Sequence, residues 1–134
     1  FSPDGTRLVT TAYDRTARVW DVTAAGPPDG GSRHLRRLRG HTNWVTDAHF
    51  SADGTKVVTG AYDNTVRVWD ARTGDALAVL AGHEGACGPV ACRADGSVVS
   101  SASDGTVKHW SAREVAGEGA LTGYTSFVYA CAFF

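Results

Sequence analysis

At 134 residues and 14.1 kDa, the chain has room for one modest domain and nothing larger. Hydrophobic residues make up 43% and charged ones 20%, which excludes disordered and fibrous compositions, and no apolar run is long enough to span a bilayer. Thirteen basic residues against 14 acidic ones leave a net charge of −1, so no global field draws nucleic acid or acidic membranes to the chain.

Taken in chain order, the residues return in register. Phe1-Ser2-Pro3-Asp4-Gly5-Thr6 comes back as Phe50-Ser51-Ala52-Asp53-Gly54-Thr55 and, more loosely, as Cys92-Arg93-Ala94-Asp95-Gly96-Ser97. Each Asp-Gly pair lies between apolar runs and reads as a tight hairpin turn. The apolar pairs Leu8-Val9, Val57-Val58 and Val98-Val99 follow, and two adjacent apolar residues predict a strand buried on both faces. A second turn opens at Asp14, Asp63 and Asp104, each followed two residues later by Thr16, Thr65 or Thr106, and the next strand ends at Trp20, Trp69 or Trp110. Between the first and second units, Gly26-Pro27-Pro28-Asp29-Gly30-Gly31-Ser32 marks an insert loop at about 22–32. No amphipathic helix of useful length is found, so each unit is expected to be an antiparallel meander of four strands stacked on its neighbours.

Several offsets agree at once. Thr10, Thr59 and Ser100 lie four residues before the turn aspartates, and those lie six residues before the tryptophans. Gly40-His41 and Gly82-His83 precede Trp69-Asp70 and Trp110-Ser111. This lattice resembles the WD-repeat family, whose units form blades of a β-propeller, and the likeness covers essentially the whole chain. The implied fold class is all-β: an incomplete arc of four-stranded antiparallel blades, with units at about 1–39, 40–81 and 82–122 and the start of a fourth at 123–134. In the family the outermost strand of a blade comes from the following repeat. Applied here, 6–21 supplies two strands of a first blade and 33–39 its outer one. Strands near 44–50, 56–61, 65–70 and 76–80 make a second blade, and those near 86–92, 97–102, 106–111 and 117–122 a third. Residues 127–133 would begin a fourth. Propellers close with about four to eight blades, so the remaining blades are expected from a longer parent chain, in keeping with a start at Phe1 and no leader peptide.

Ser100, His83 and Asp104 invite a hydrolase reading, because nucleophilic catalysis uses such a relay. The second unit, however, places Thr59, His41 and Asp63 at the matching positions, both sets end in a tryptophan whose indole N–H needs a partner, and no G-x-S-x-G elbow is present. The resemblance implies a structural network of Asp, His, Ser/Thr and Trp, with no catalytic residues and no enzyme activity. The first unit offers Thr10, Asp14 and Trp20 for it, and the last has Tyr124 in the place of the histidine. Cys87, Cys92 and Cys131 align with apolar positions and read as packing residues, while His34, His49 and His109 stand singly, so neither metal nor cofactor is expected. Three cysteines cannot pair off completely, which favours a reducing compartment and an intracellular setting, cytoplasmic or nuclear.

The basic run Arg33, Arg36, Arg37 and Arg39 alternates with Leu35 and Leu38 and reads as an outer strand with its charges turned outward, which guards an exposed edge. Nucleic acid is disfavoured as a partner, and neither a small-molecule substrate nor a membrane is expected. The family's recurrent contact positions fall on Trp44, Thr46 and Tyr62 in the second blade, on Tyr13 in the first, and on Phe127 and Tyr129 in the last. The third blade offers only Ala86, Gly88 and Ser103. Large aromatics on exposed loops are the residues that anchor interfaces. The expected function is therefore a protein-interaction scaffold that binds other proteins or peptide segments on its rim. Two alternatives stand beside it. Val98-Val99-Ser100-Ser101-Ala102-Ser103-Asp104-Gly105, with Thr125-Ser126-Phe127-Val128-Tyr129, is similar to ubiquitin-binding adaptor propellers. A regulatory sensor domain of a larger signalling protein, a kinase or NTPase, is the other.

Overall fold

A computed structural model of the chain describes residues 1–23, 34–93 and 95–111, together with the backbone of 117–121. Among these residues the regular elements are all strands: β1 (Arg7–Thr11), β2 (Thr16–Asp21), β3 (His34–Arg39), β4 (Val45–Phe50), β5 (Lys56–Ala61), β6 (Thr65–Asp70), β7 (Ala76–Ala81), β8 (Cys87–Cys92), β9 (Val98–Ala102), β10 (Val107–Trp110) and β11 (Gly117–Leu121). They form three antiparallel sheets in sequential order, β1-β2-β3, β4-β5-β6-β7 and β8-β9-β10-β11, and the sheets do not close a ring. Most of the insert loop, and the strand expected at 127–133, lie outside the described residues. Strand ends move by a residue in places: β10 begins at Val107, where Thr106 was expected to start it.

The adjacent apolar pairs explain the stacking. Val57 and Val58 are both fully buried but point opposite ways, because successive side chains of a strand alternate faces. Val57 joins the core between the first two sheets with Val19, Leu38, Val45 and Trp69. Val58 joins the core between the second and third with Val66, Leu80, Val90, Val98 and Trp110. The middle sheet is thus sandwiched. Leu8 and Val9, also expected to be buried, are only half-buried: Val9 packs against the core shared with the second sheet, while Leu8 points to the other face of the first sheet.

The inner strands stitch the sheets together. β4 carries a bulge between Val45 and Asp47, and β8 one between Cys87 and Val90, which accommodates Pro89 without a missing ladder bond. Across the seam, the Val90 N–H donates to Asp47 Oδ2 at 2.9 Å. The Asp-Gly turns hold themselves: Asp53 Oδ1 accepts from the Ser51 hydroxyl and from the N–H and hydroxyl of Thr55, and Asp4 does the same with Ser2 and Thr6. These bonds, the serine hydroxyl first among them, pull both carboxyls down to about 2. The second turns place Arg15, Asn64 and Gly105 at φ between 65° and 78°, a left-handed conformation that glycine and asparagine adopt readily and arginine does not.

Candidate functional site

The middle and last sheets each carry a buried polar chain running from strand to loop. The Trp69 indole N–H donates to Thr59 Oγ1 (2.9 Å), and Thr59 bonds His41 Nε2 (2.7 Å). An ionised carboxylate can only accept, so the neutral ring carries its proton on Nδ1, toward Asp63, and Nε2 accepts the threonine hydroxyl's proton. His41 Nδ1–H then donates to Asp63 Oδ2 (2.9 Å), which also accepts the Thr42 N–H. The other Asp63 oxygen closes the turn onto the N–H and hydroxyl of Thr65. Next door, Trp110 donates to Ser100 (2.7 Å), Ser100 meets His83 Nε2 (2.8 Å), and His83 Nδ1 faces Asp104 (3.1 Å), which accepts the Glu84 N–H. Gly82 packs close beside this chain: a Cβ there would sit 3.1 Å from the Trp110 ring, which would have to give by a few tenths of an ångström.

Electrostatics follow from that geometry. Burial holds His41 and His83 below the ordinary imidazole value, and their carboxylate partners offset it only in part. For Asp63 and Asp104, burial pushes the carboxyl up. The threonine hydroxyls, backbone N–H groups and histidines nevertheless outweigh it and leave both below the usual carboxylate range. A neutral imidazole therefore bridges an ionised carboxylate and a hydroxyl. Ser100 and Thr59 are fully buried and capped by an indole, so no substrate carbonyl can reach either oxygen. The arrangement is a clasp: each bond adds roughly 1 kcal/mol, and orphaning a buried member costs about 1–3 kcal/mol.

The first sheet differs. Trp20 donates to Thr10 (2.8 Å), as in the other sheets, but no described histidine reaches Asp14. Its turn oxygen accepts from Thr16, and its other oxygen takes the guanidinium groups of Arg18 and Arg37. The basic run stands on the outer strand, with Arg36 and Arg39 exposed and Arg33 outside the described residues; Arg37 is half-buried and turns along the sheet to pair with Asp14 (3.0 Å), while Arg36 reaches across to the Arg72 carbonyl (2.7 Å).

On the rim formed by the clasp loops, Tyr13, Trp44 and Tyr62 come together. They are 75%, 44% and 40% exposed, and they lie one over the next, with ring centroids 4.6 Å apart for Tyr13–Trp44 and 5.7 Å for Trp44–Tyr62. Backbone bonds position them: the Tyr62 N–H donates to the Trp44 carbonyl (2.8 Å), and the Val45 N–H to the Ala12 carbonyl in the first sheet (3.3 Å). Beside the rings opens a concavity of about 360 Å³ floored by Thr11, Ala12, Val45 and Thr46. The Thr46 hydroxyl is engaged below this floor, within reach of the carbonyls of Gly60 (3.0 Å) and Cys87 (2.8 Å), so it ties the second sheet to the third. The last sheet repeats the backbone bond from Ser103 to Ala86 but presents no ring. Phe127, Tyr129 and Tyr124 lie outside the described residues, as does Cys131. Cys87 is buried and its thiol is pushed up to about 12 by desolvation, and Cys92 is half-buried. Among the described residues no three histidines, cysteines or carboxylates gather as metal ligands, and no helix is long and apolar enough to cross a membrane.

Stacked antiparallel sheets of three or four strands, the two four-stranded ones each pinned by a Trp–Ser/Thr–His–Asp clasp, define an all-β repeat scaffold of the kind that builds propeller blades. The model of the WD domain, G-beta repeat family matches residues 1–21, 32–70 and 74–111, and the chain belongs to that family. Among curated proteins none matches the chain significantly.

Proposed function

We propose that this chain is a non-catalytic interaction platform that binds peptide segments of other proteins on the Tyr13–Trp44–Tyr62 ledge, inside the cell. One observation carries the reading. Three large aromatic side chains from two sheets pack ring against ring, tilted by 30–36°, yet remain 40% or more exposed, beside a hollow that mixes threonine with Ala12 and Val45. This packing keeps the rings rigid, so little side-chain entropy is lost when a partner covers them. The unpaired, buried Cys87 supports a reducing compartment. The ubiquitin reading gains nothing from β9, whose residues are nearly all buried.

The test is a peptide selected from a random display library on the full chain, with its affinity then compared between the wild type and Trp44→Ala/Tyr62→Ala. A loss of about tenfold or more, with an unchanged melting temperature, is expected of two interface anchors. Affinity within about twofold of wild type would place the binding surface elsewhere. Retention of ubiquitin by the wild type, abolished by neither substitution, would favour the adaptor alternative.

A further inference from the structure

The face opposite the aromatic ledge carries a second concentration of chemistry, at the seam between the first two sheets. Three arginines converge there from separate parts of the chain: Arg7 at the start of β1, Arg36 in β3, and Arg72 in the turn after β6. They ring a small hollow of about 180 Å³ whose remaining wall is Leu35 and Ala71, with no carboxylate in its lining. Arg7 also borders a larger neighbouring hollow of about 360 Å³ with Arg72, Asp53 and Asp70.

Backbone carbonyls orient these guanidinium groups, and although Arg7 feels the charge of Asp4 and Arg72 that of Asp70, among the described residues neither is in a direct ion pair. Arg7 donates to the Gly54 carbonyl (2.8 Å) and lies 5.2 Å from the centre of the Phe50 ring. Arg36 donates to the carbonyls of Arg72 (2.7 Å) and Leu35 (2.6 Å). Carbonyl oxygens fix the direction of a guanidinium without cancelling its charge. Among the described residues none of the three arginines forms an ion pair, whereas Arg18 and Arg37 both do. The nearby aspartates are committed to their own turns: Asp4 to Ser2 and Thr6, Asp53 to Ser51 and Thr55, and Asp70 to the N–H groups of Arg72 and Thr73. Gathering three permanent cations around one hollow is unfavourable in the free protein, and an anionic partner relieves it. The hollow itself is floored by apolar side chains and arginine stems.

We infer that this seam is a second docking site, one that receives an acidic peptide segment of a partner protein with an apolar residue at its centre. The apolar side chain enters between Leu35 and Ala71, and flanking carboxylates or phosphates meet the guanidinium groups of Arg7, Arg36 and Arg72 in forked geometry. The site does not depend on the aromatic ledge and would stand if that ledge proved inert.

The experiment uses the full chain tethered at low density to a sensor surface. Three labelled peptides serve as probes: one with leucine flanked on each side by two glutamates, one with phosphoserines in place of the glutamates, and one with lysines in their place. The glutamate or the phosphoserine peptide is expected to bind, and whichever binds more tightly names the natural anion. Lysine should abolish binding. Arg36→Gln and Arg72→Glu, which leave the Arg7 cross-sheet bond intact, should weaken binding by about tenfold or more, and raising salt should weaken it further. Trp44→Ala/Tyr62→Ala should leave it unchanged. Equal binding to Arg72→Glu, no binding of either acidic peptide, or tighter binding of a single-stranded RNA of equal charge would each overturn the inference.

Discussion

His41 and His83 are the residues through which acidity reaches this fold. Both are buried as neutral rings, with values below that of a free imidazole because desolvation dominates. The unfolded chain takes up protons near pH 6.5 while the folded rings resist them, so stability falls as pH drops below that value toward the folded ones. Asp63 and Asp104, also depressed, extend the loss into the acid range: their contribution is complete above about 3.9 and disappears as pH falls through the folded values. His49, raised chiefly by its hydrogen bond to Asp47, acts in the opposite sense, favouring the fold at low pH, but its ring is mostly exposed and solvent screens it. The melting temperature is therefore expected to fall between about pH 7.5 and about pH 5.5, and His83→Gln should flatten that fall while lowering the plateau. A melting temperature constant across the interval, or an undiminished slope in the variant, would show that the clasps do not control it.

Among the elements, β5 is the most constrained, because it is covered on both faces. Gly60 sits in it where the third sheet comes nearest: a Cβ there would lie 2.7 Å from the Gly88 carbonyl oxygen and 3.0 Å from Val90 Cγ1. Backbone cannot retreat as a flexible side chain can, so Gly60→Ala should push the second and third sheets apart. The expected loss is about 1–3 kcal/mol in denaturant unfolding. An unchanged midpoint would mean that the seam yields without cost. Parts of this architecture were legible in the residues: the Val57-Val58 pair announced a strand buried on both faces, and the repeated Asp turns announced the hairpins. The closeness that makes Gly60 obligatory was not, since it depends on Gly88, which is 28 positions away in the sequence and comes near only when the sheets stack.

Across the whole molecule, the arc leaves sheet edges uncovered. β7 is the last strand of the middle sheet and presents Leu77 and Val79 at 52% and 37% exposure, an apolar edge of the kind that invites pairing between copies. The chain in isolation is expected to self-associate in sedimentation velocity, and Leu77→Lys with Val79→Lys should reduce the association without lowering the melting temperature. A monodisperse wild-type monomer would contradict this. The repeat lattice, the turn chemistry, the pairing of each tryptophan with a hydroxyl four residues before the turn, and the aromatic identity of Tyr13, Trp44 and Tyr62 can all be read along the chain. Each depends on local spacing and on side-chain chemistry that recurs in every unit. What the spacing could not disclose was settled by pairing and stacking: β2–β3 pairing sets Arg37 beside Arg18 at Asp14 within the first sheet, and the packing of the first two sheets brings the three rings together and turns Arg7, Arg36 and Arg72 to one hollow. Those outcomes depend on contacts between strands and sheets, and sequence order carries no record of which side chains two packed surfaces will bring together.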